Sequence, residues 1–273
     1  MSAAPAAPLA DWADVPATSW WRVLPSRLVT FFVIEVYRVR HDQSELVTRA
    51  IQPALWLLIF GETFTRLRAI PTGNLPYLDY MAPGIIAQSG LFIAIFYGIM
   101  LIWERDAGIL SKLLATPTPR VALVAGKGFA AGLRAAIQAL IVFALCAILR
   151  VGVDWNPLRL AAAVLVVMAG SAFFSMLSMT IAGVVLSRER LMGIGQAITM
   201  PLFFASNALY PVHLMPGWLQ VLSAVNPLSY EVDALRSLIL NVPGNLPLDV
   251  AVLAGTLVLG IVTSASLLDR LAR

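Results

Sequence analysis

Long apolar runs separated by short charged or proline-rich stretches make up most of the chain. Several of these runs exceed the roughly 18 residues that a helix needs to cross a membrane. They predict spans at about 50–65, 77–102, 121–149, 158–186, 191–205 and 248–268. The pattern therefore predicts an all-α membrane protein with six transmembrane helices in residues 46–273.

The stretch 20–45, before the first span, has a different pattern. Its apolar residues recur at steps of three and four, with arginines such as Arg22 and Arg38 between them. A basic amphipathic helix with aromatic residues is typical of the membrane interface, so we expect an interfacial helix there. The alternative is a first span, which Glu35 and the basic residues disfavour. Residues 1–19 are rich in Ala and Pro and lack a basic start before an apolar core. We expect them to form a disordered cytoplasmic tail.

A charged stretch, 103–117, reads WERDAGILSKLLATP between the second and third spans. Its apolar residues fall on one side of a short helix, and its charged residues lie elsewhere: Ile109, Leu110, Leu113 and Leu114 against Glu104, Arg105, Asp106 and Lys112. The pattern predicts a short amphipathic helix joined to both spans. An ordinary loop with interfacial leucines fits the same periodicity.

Residues 216–240, within the region 206–240 before the last span, are too polar to cross a membrane, since they include Glu231, Asp233 and Arg236. Irregular backbone at membrane depth is tolerated only where it is buried in protein or lines a cavity. We therefore expect helices that dip back into the outer leaflet as a re-entrant hairpin.

Composition agrees with a membrane protein and excludes several other classes. Only 12% of the 273 residues are charged, and the mean hydropathy is +0.83, whereas soluble domains are about a quarter charged. The single cysteine, Cys146, excludes an internal disulfide framework. The two histidines, His41 and His213, have no clustered partners, so no metal site is expected. The net charge of +4 reflects arginines that border spans, and no nucleic-acid partner is expected.

The distribution of basic residues predicts the orientation. With the N-terminus inside, 13 of the 19 Lys and Arg residues lie on the cytoplasmic side, as the positive-inside rule requires. Both termini and the stretch 103–117 are then cytoplasmic.

A polar stripe runs along the third predicted span. Lys127, Arg134 and Gln138 are spaced by seven and four residues, so they share one helix face. Their side chains either reach back to the lipid headgroups, which we favour, or line a substrate path. Phe96 and Phe203 are further candidates for such a lining. Gly128 and Gly132, spaced by four, suit close helix packing.

Several motifs resemble those of the ABC-2 type transporter permeases, including the daunorubicin-exporter and nodulation-exporter membrane subunits. The resemblance covers most of the chain after residue 20. It rests on these segments: Gln52-Pro53, Tyr80-Met81-Ala82-Pro83-Gly84, Glu104-Arg105-Asp106-Ala107-Gly108 with Leu113-Leu114-Ala115-Thr116-Pro117, Phe204–Pro211, Met215–Gln220 and Asn226–Tyr230. One departure is Asp106, where relatives often carry Glu.

The resemblance implies two functional sites, a coupling helix and an external gate. Residues 103–117 would be the coupling helix that docks a separate ATP-binding cassette ATPase subunit, through Glu104, Arg105, Asp106, Gly108, Ile109, Leu110, Leu113 and Leu114. The segment 206–240 would be an external gate, with Asn207, Tyr210, Pro211, Trp218, Asn226 and Pro227. The interfacial N-terminal helix would touch the same ATPase subunit.

The resemblance also implies partners and a direction. Two copies, or this chain and a paralogue, would form a pore in the bacterial inner membrane and export a substrate. ATP and Mg would bind on the ATPase subunit, and this chain would hold no cofactor.

The residues themselves agree with a chain that is not an enzyme. No G-x-x-x-x-G-K-[ST] loop occurs, and no paired carboxylates or nucleophile–base pair stand at catalytic spacing. An ion-driven secondary transporter or channel remains an alternative, and an intramembrane enzyme is disfavoured by the shortage of His, Asp and Glu within spans. The apolar, aromatic interior suits an amphipathic drug, lipid or lipid-linked glycan.

Overall fold

A computed structural model describes residues 43–67, 70–73, 75–114 and 120–272, together with Val29, Val33 and Tyr37. The predicted tail 1–19 lies outside the described residues, as does most of the predicted interfacial helix 20–45. The described part is helical and contains no strand. Its helices are α1 (Gln43–Leu55), α2 (Glu62–Leu67), α3 (Tyr77–Asp106), α4 (Ile109–Leu114), α5 (Arg120–Ile148), α6 (Pro157–Val185), α7 (Arg188–Phe204), α8 (Gly217–Val225), α9 (Pro227–Leu240) and α10 (Leu246–Ala272).

Four described helices, α3, α5, α6 and α10, are long and apolar enough to cross a membrane. The first and fifth predicted spans correspond to shorter pieces. A π-helical stretch, Trp56–Gly61, separates α1 from α2, and α7 has only 17 residues. The all-helical membrane class is therefore confirmed, while the count of six spans stays a prediction.

Paired Asn and Pro residues begin two of the helices. The Asn156 side chain accepts a hydrogen bond from the Leu158 N–H at the start of α6, and the Asn226 side chain does the same for Leu228 at the start of α9. In each case a proline occupies the first helical position, where its missing N–H costs nothing. These caps explain why α6 and α9 begin where they do.

Helix α6 lies at the centre of the bundle and packs against α3, α5 and α10. Small residues let α3 and α6 approach closely, because a Cβ on Gly98 would lie 2.5 Å from the Ser178 carbonyl oxygen. The Ser178 hydroxyl donates to the Ile95 carbonyl at 2.7 Å, and the Ser171 hydroxyl donates to the Gly90 carbonyl at 3.1 Å. Within a membrane, no hydrophobic effect drives helices together, so van der Waals packing and hydrogen bonds of this kind hold them in contact.

The contact between α5 and α6 uses the predicted pair of small residues. A Cβ on Gly132 would lie 2.7 Å from the Met168 carbonyl oxygen, and one on Gly128 would meet the Met176 side chain. The sequence prediction that Gly128 and Gly132 serve close packing is therefore confirmed.

The helices alternate in direction, so their connections gather at two ends. The α4 end contains the turns after α3 and α6, and the α9 end contains the loop after α5 and the segment 205–245. At the α9 end, the Asp154 N–H donates to the Ile239 carbonyl at 2.7 Å. The Asn241 amide donates to the Asp154 carboxylate, and this bond lowers the pKa of Asp154 below its usual range.

Candidate functional site

An ion pair closes the α4 end of the bundle. The Lys127 ammonium on α5 bonds to the Glu104 carboxylate on α3, and the two side chains are only 9% and 16% exposed. The interpretation that the Lys127 side chain reaches to the headgroups is therefore wrong. A partner on the neighbouring helix holds the ammonium inside the protein, which is less costly than leaving it unpaired.

A second charged cluster joins α3 to the turn between α6 and α7. The Asp106 carboxylate accepts hydrogen bonds from Arg105 at 2.8 Å and from Arg188 at 2.6 Å. Arg105 also donates to the Leu186 carbonyl at 3.1 Å, and the Arg188 guanidinium lies 5.6 Å from the centre of the Trp103 ring. Planar guanidinium groups with several donors are suited to such bridging. The end of α3 is thereby tied to α5 through Glu104 and to the start of α7 through Asp106.

The stretch 103–117 forms two pieces, not the one short helix that the sequence pattern predicted. Helix α3 continues to Asp106, and Gly108 then adopts a φ of +70° before α4 begins at Ile109. This left-handed conformation strains a residue that has a Cβ, so glycine ends the long helix here. Residues 115–117 lie outside the described part of the chain.

Helix α4 packs its apolar side on its own bundle. Leu110 is fully buried with residues of α3 and α10, and Leu113 packs partly against the same cluster. Ile109, Ser111 and Lys112 are exposed. The surface that α4 offers to another protein is therefore smaller than the predicted set of residues, because Leu110 is not available for contact.

A cavity of about 700 Å³ lies beside α3, between α1, α5 and α7. We call it the glutamine cavity, because each of these four helices contributes one glutamine: Gln52, Gln88, Gln138 and Gln196. Apolar side chains, including Phe92 and Met200, complete its lining.

A second cavity of about 360 Å³, which we call the aromatic cavity, shares Arg49, Ile93 and Phe96 with the first. It follows α3 toward the α4 end and includes Trp103 and Met192. The Arg49 guanidinium lies 4.5 Å from the centre of the Phe96 ring, at the boundary between the two cavities. The two cavities together form one amphipathic groove.

Three of the four residues predicted to line a substrate path lie in this groove. Gln138 lines the glutamine cavity, Arg134 lines the aromatic cavity and Phe96 lines both. The structure places Phe203 elsewhere, fully buried against Trp56 with their ring centres 5.7 Å apart. Sequence alone could not separate these positions, since all four lie in apolar helices.

A polar network holds the segment after α7 against α3 at the α9 end. The Asn207 carbonyl accepts from the Tyr80 hydroxyl at 3.1 Å and from Arg236 at 3.0 Å. The Asn207 amide donates to the Asp233 carboxylate at 2.6 Å, and Arg236 donates to the same carboxylate at 2.9 Å. The Arg236 guanidinium also lies 4.1 Å from the centre of the Tyr80 ring. Four residues from three segments thus close this end of the bundle.

The other residues predicted for an external gate have varied environments. Asn226 is buried and donates its amide to the Leu202 carbonyl at 2.7 Å, and the Tyr210 hydroxyl donates to the Phe204 carbonyl at 2.5 Å. Trp218 is 67% exposed on α8. Pro211 and Pro227 are half-buried at the starts of short helices.

The sequence did not assign a site role to Gln88, Arg188 or Tyr80, although Tyr80 belongs to one of the family motifs; these residues complete the groove and the two polar clusters. A polar residue inside an otherwise apolar run is the signal that could have identified Gln88. Within the described residues, no group of three His, Cys, Asp or Glu side chains is placed to hold a metal ion.

Comparison with known proteins identifies the family. The ABC-2 type transporter family matches residues 27–240, which is most of the chain. A putative transport permease, ycf38, of Porphyra purpurea is 30% identical over 80% of this chain and 74% of its own length.

Two bacterial proteins are also similar. The daunorubicin resistance ABC transporter permease protein DrrB1 of Streptomyces coeruleorubidus is 26% identical over 73% of this chain and 70% of its own length. Nodulation protein J of Rhizobium leguminosarum bv. viciae is 27% identical over 71% and 75%. The chain belongs to the ABC-2 type transporter family and is a membrane subunit that pairs with a separate ATP-hydrolysing subunit.

Proposed function

We propose that this chain forms half of a dimeric export pore in the bacterial inner membrane, with its α4 end and both termini in the cytoplasm. The second half is another copy or a paralogue. ATP and Mg bind on the ATPase subunit, and each ATPase subunit docks on the exposed side of α4. The excess of basic residues near the α4 end supports this orientation.

The observation that carries the proposal is the pair of charged links around the end of α3. Glu104 joins it to α5, and Asp106 joins it to Arg188 at the start of α7. Helices α3, α5 and α7 also form much of the wall of the groove. A displacement of α4 by the ATPase subunit therefore reaches three helices that line the groove. Tightly packed and cross-linked helices transmit a displacement at one end to the helices they are joined to.

The groove and the polar network around Asn207 also have roles in this proposal. The groove takes an amphipathic substrate, since polar and aromatic side chains lie along its length. The network around Asn207 keeps the outer end closed until the bundle rearranges. The drug-resistance role in the name of the Streptomyces relative supports export of an amphipathic compound.

The experiment is reconstitution of this chain with its ATPase subunit in liposomes, with ATPase activity and substrate export measured together. We expect Gly108→Pro to leave the complex assembled and to abolish substrate-stimulated ATPase, because proline cannot adopt a φ of +70°. Transport that is driven by an ion gradient without ATP would contradict the proposal. So would an assembled complex that is indifferent to Gly108→Pro.

A further inference from the structure

The glutamines of the glutamine cavity are the starting observation. The chain has six glutamines, and four of them converge on this one cavity from four different helices. A glutamine that faces hydrocarbon is costly, because its amide loses its hydrogen bonds to water. Their convergence therefore needs a partner that forms hydrogen bonds.

Two of the four glutamines have buried polar atoms that lack such a partner in the described structure. Gln88 is 2% exposed and Gln138 is 1% exposed. The Gln88 Nε2 and both polar atoms of the Gln138 amide form no hydrogen bond with any described residue. Native proteins satisfy nearly all buried polar atoms, so orphaned amides in a cavity wall indicate a site that is completed by water in the free protein and by a hydrogen-bonding ligand when one is bound. Rotation about the last side-chain torsion, which is soft, can turn either amide.

The chemistry of the wall restricts the ligand. A carboxamide both donates and accepts hydrogen bonds and carries no charge, which matches hydroxyl and amide groups. The charged residue among the described lining is Arg49, whose guanidinium lies against the Phe96 ring, and no described Asp or Glu lines the cavity, so nothing in this wall favours a cation. Phe92 and Phe96 provide apolar faces beside the amides, and the adjoining aromatic cavity adds Trp103 and Met192. Polar and apolar recognition thus lie side by side.

We infer that the glutamine cavity binds the hydroxyl- or amide-bearing head of an amphipathic substrate, while the aromatic and apolar side chains of the aromatic cavity hold its apolar part. The inference rests on the proposed function, since it names the substrate class of that pore. Gln138 and Gln88 are the specificity-determining residues. Gln138 has the larger role, because both of its amide atoms are unsatisfied.

The test measures lipid binding by the complex of this chain and its ATPase subunit in phosphatidylcholine nanodiscs. The probes are monogalactosyl diacylglycerol and diacylglycerol with the same acyl chains, and free galactose is the third arm. We expect the galactolipid to bind about tenfold more tightly than diacylglycerol, as one or two net hydrogen bonds predict. Galactose that competes with the galactolipid would show that the head alone is recognised. Galactose that does not compete would show that the head is recognised only when it is attached to lipid.

The variant Gln138→Leu separates a ligand site from a structural role. We expect it to remove the preference for the galactolipid and to raise the thermal midpoint of the ligand-free complex, since it removes an orphaned amide. A glutamine that held the fold together would lower that midpoint when replaced. The matched control is Gln220→Leu, far from the cavity, whose amide bonds to the Met215 carbonyl. It should leave the lipid preference unchanged.

Three results would overturn the inference. They are equal binding of the two lipids by the wild type, an unchanged preference in Gln138→Leu, and dissociation of the dimer by Gln138→Leu with galactolipid binding intact. The last result would show that the glutamine amides form contacts between the two copies of the chain. Co-purification of the ATPase subunit is recorded in the same samples, so failure of the lipid preference is distinguishable from failure of the exporter assignment.

Discussion

Removing one member of the Glu104–Lys127 pair provides a quantitative test of the α4 end. In Glu104→Gln, the Lys127 ammonium, whose side chain is 9% exposed, loses its counter-charge. Breaking a buried ion pair costs about 3–5 kcal/mol. Because the pair lies near the end of the bundle, we expect about 3 kcal/mol. For a chain of this size, that lowers the thermal midpoint by roughly 6–12 °C, at about 2–4 °C per kcal/mol.

The double variant Glu104→Gln/Lys127→Met distinguishes stability from coupling. Replacing both charges removes the unpaired ammonium, so most of the lost stability should return, with a coupling energy of about 2–3 kcal/mol in the double-mutant cycle. We expect the stable double variant still to show reduced substrate-stimulated ATPase, because the link between α3 and α5 is absent. Full recovery of that activity would show that the pair serves stability alone.

An exposed ion pair in the same chain gives the matched control. Glu62 and Arg66 lie 3.8 Å apart with side chains 46% and 84% exposed. Exposed pairs contribute about 0–1 kcal/mol, so Glu62→Gln should shift the midpoint by no more than about 4 °C. If Glu104→Gln has an effect as small as that of Glu62→Gln, the reasoning about the buried pair is refuted.

Three further substitutions test the turn, the helix packing and the outer network. Gly108→Ala should lower the free energy of unfolding by about 1–2 kcal/mol and weaken ATPase coupling, because alanine disfavours a φ of +70°. The control is Gly255→Ala, which lies in open space within α10 and should leave activity unchanged. Gly98→Ala should lower the thermal midpoint by at least about 4 °C, because its Cβ would lie 2.5 Å from the Ser178 carbonyl oxygen. Asn207→Ala should cost about 1–2 kcal/mol by removing the hydrogen bond to a carboxylate, and substrate leak from loaded liposomes should increase.

Each of these predictions has a result that contradicts it. Equal behaviour of Gly108→Ala and Gly255→Ala would show that the turn is not strained. An unchanged midpoint in Gly98→Ala would mean that α3 and α6 separate without cost. If Asn207→Ala lowers stability without increasing substrate leak, the polar network around Asn207 has a structural role only.

Much of the fold follows from local sequence features. The predicted spans 121–149 and 158–186 agree within one residue with α5 and α6, because apolar runs and the Asn-Pro cap act within a few residues of each helix end. The turn at Gly108 was harder to predict, since apolar periodicity alone does not show where a long helix stops. Its φ depends on the conformation of a single residue.

The site could be predicted only in part, because its contacts join residues far apart in sequence. Lys127 and Glu104 are 23 residues apart, and Arg188 and Asp106 are 82 apart. Such pairs depend on which helices are neighbours in the fold. The spacing of Lys127 along α5 is equally compatible with a side chain that reaches to the headgroups. Gln138 and Phe203 are both buried, but only Gln138 lines the glutamine cavity, and no one-dimensional pattern contains that information.

Site-directed cross-linking tests the central claim, that the exposed side of α4 docks the ATPase subunit. Cys146 is buried and is the only cysteine, so a single cysteine introduced at the surface can be labelled selectively after Cys146→Ala. Ser111→Cys places it on the exposed side of α4, and His213→Cys places a control at the opposite end of the bundle. We expect a short bifunctional reagent to join the chain to the ATPase subunit from position 111 and not from position 213. Cross-linking from position 213, or none from position 111 in an assembled and active complex, would contradict it.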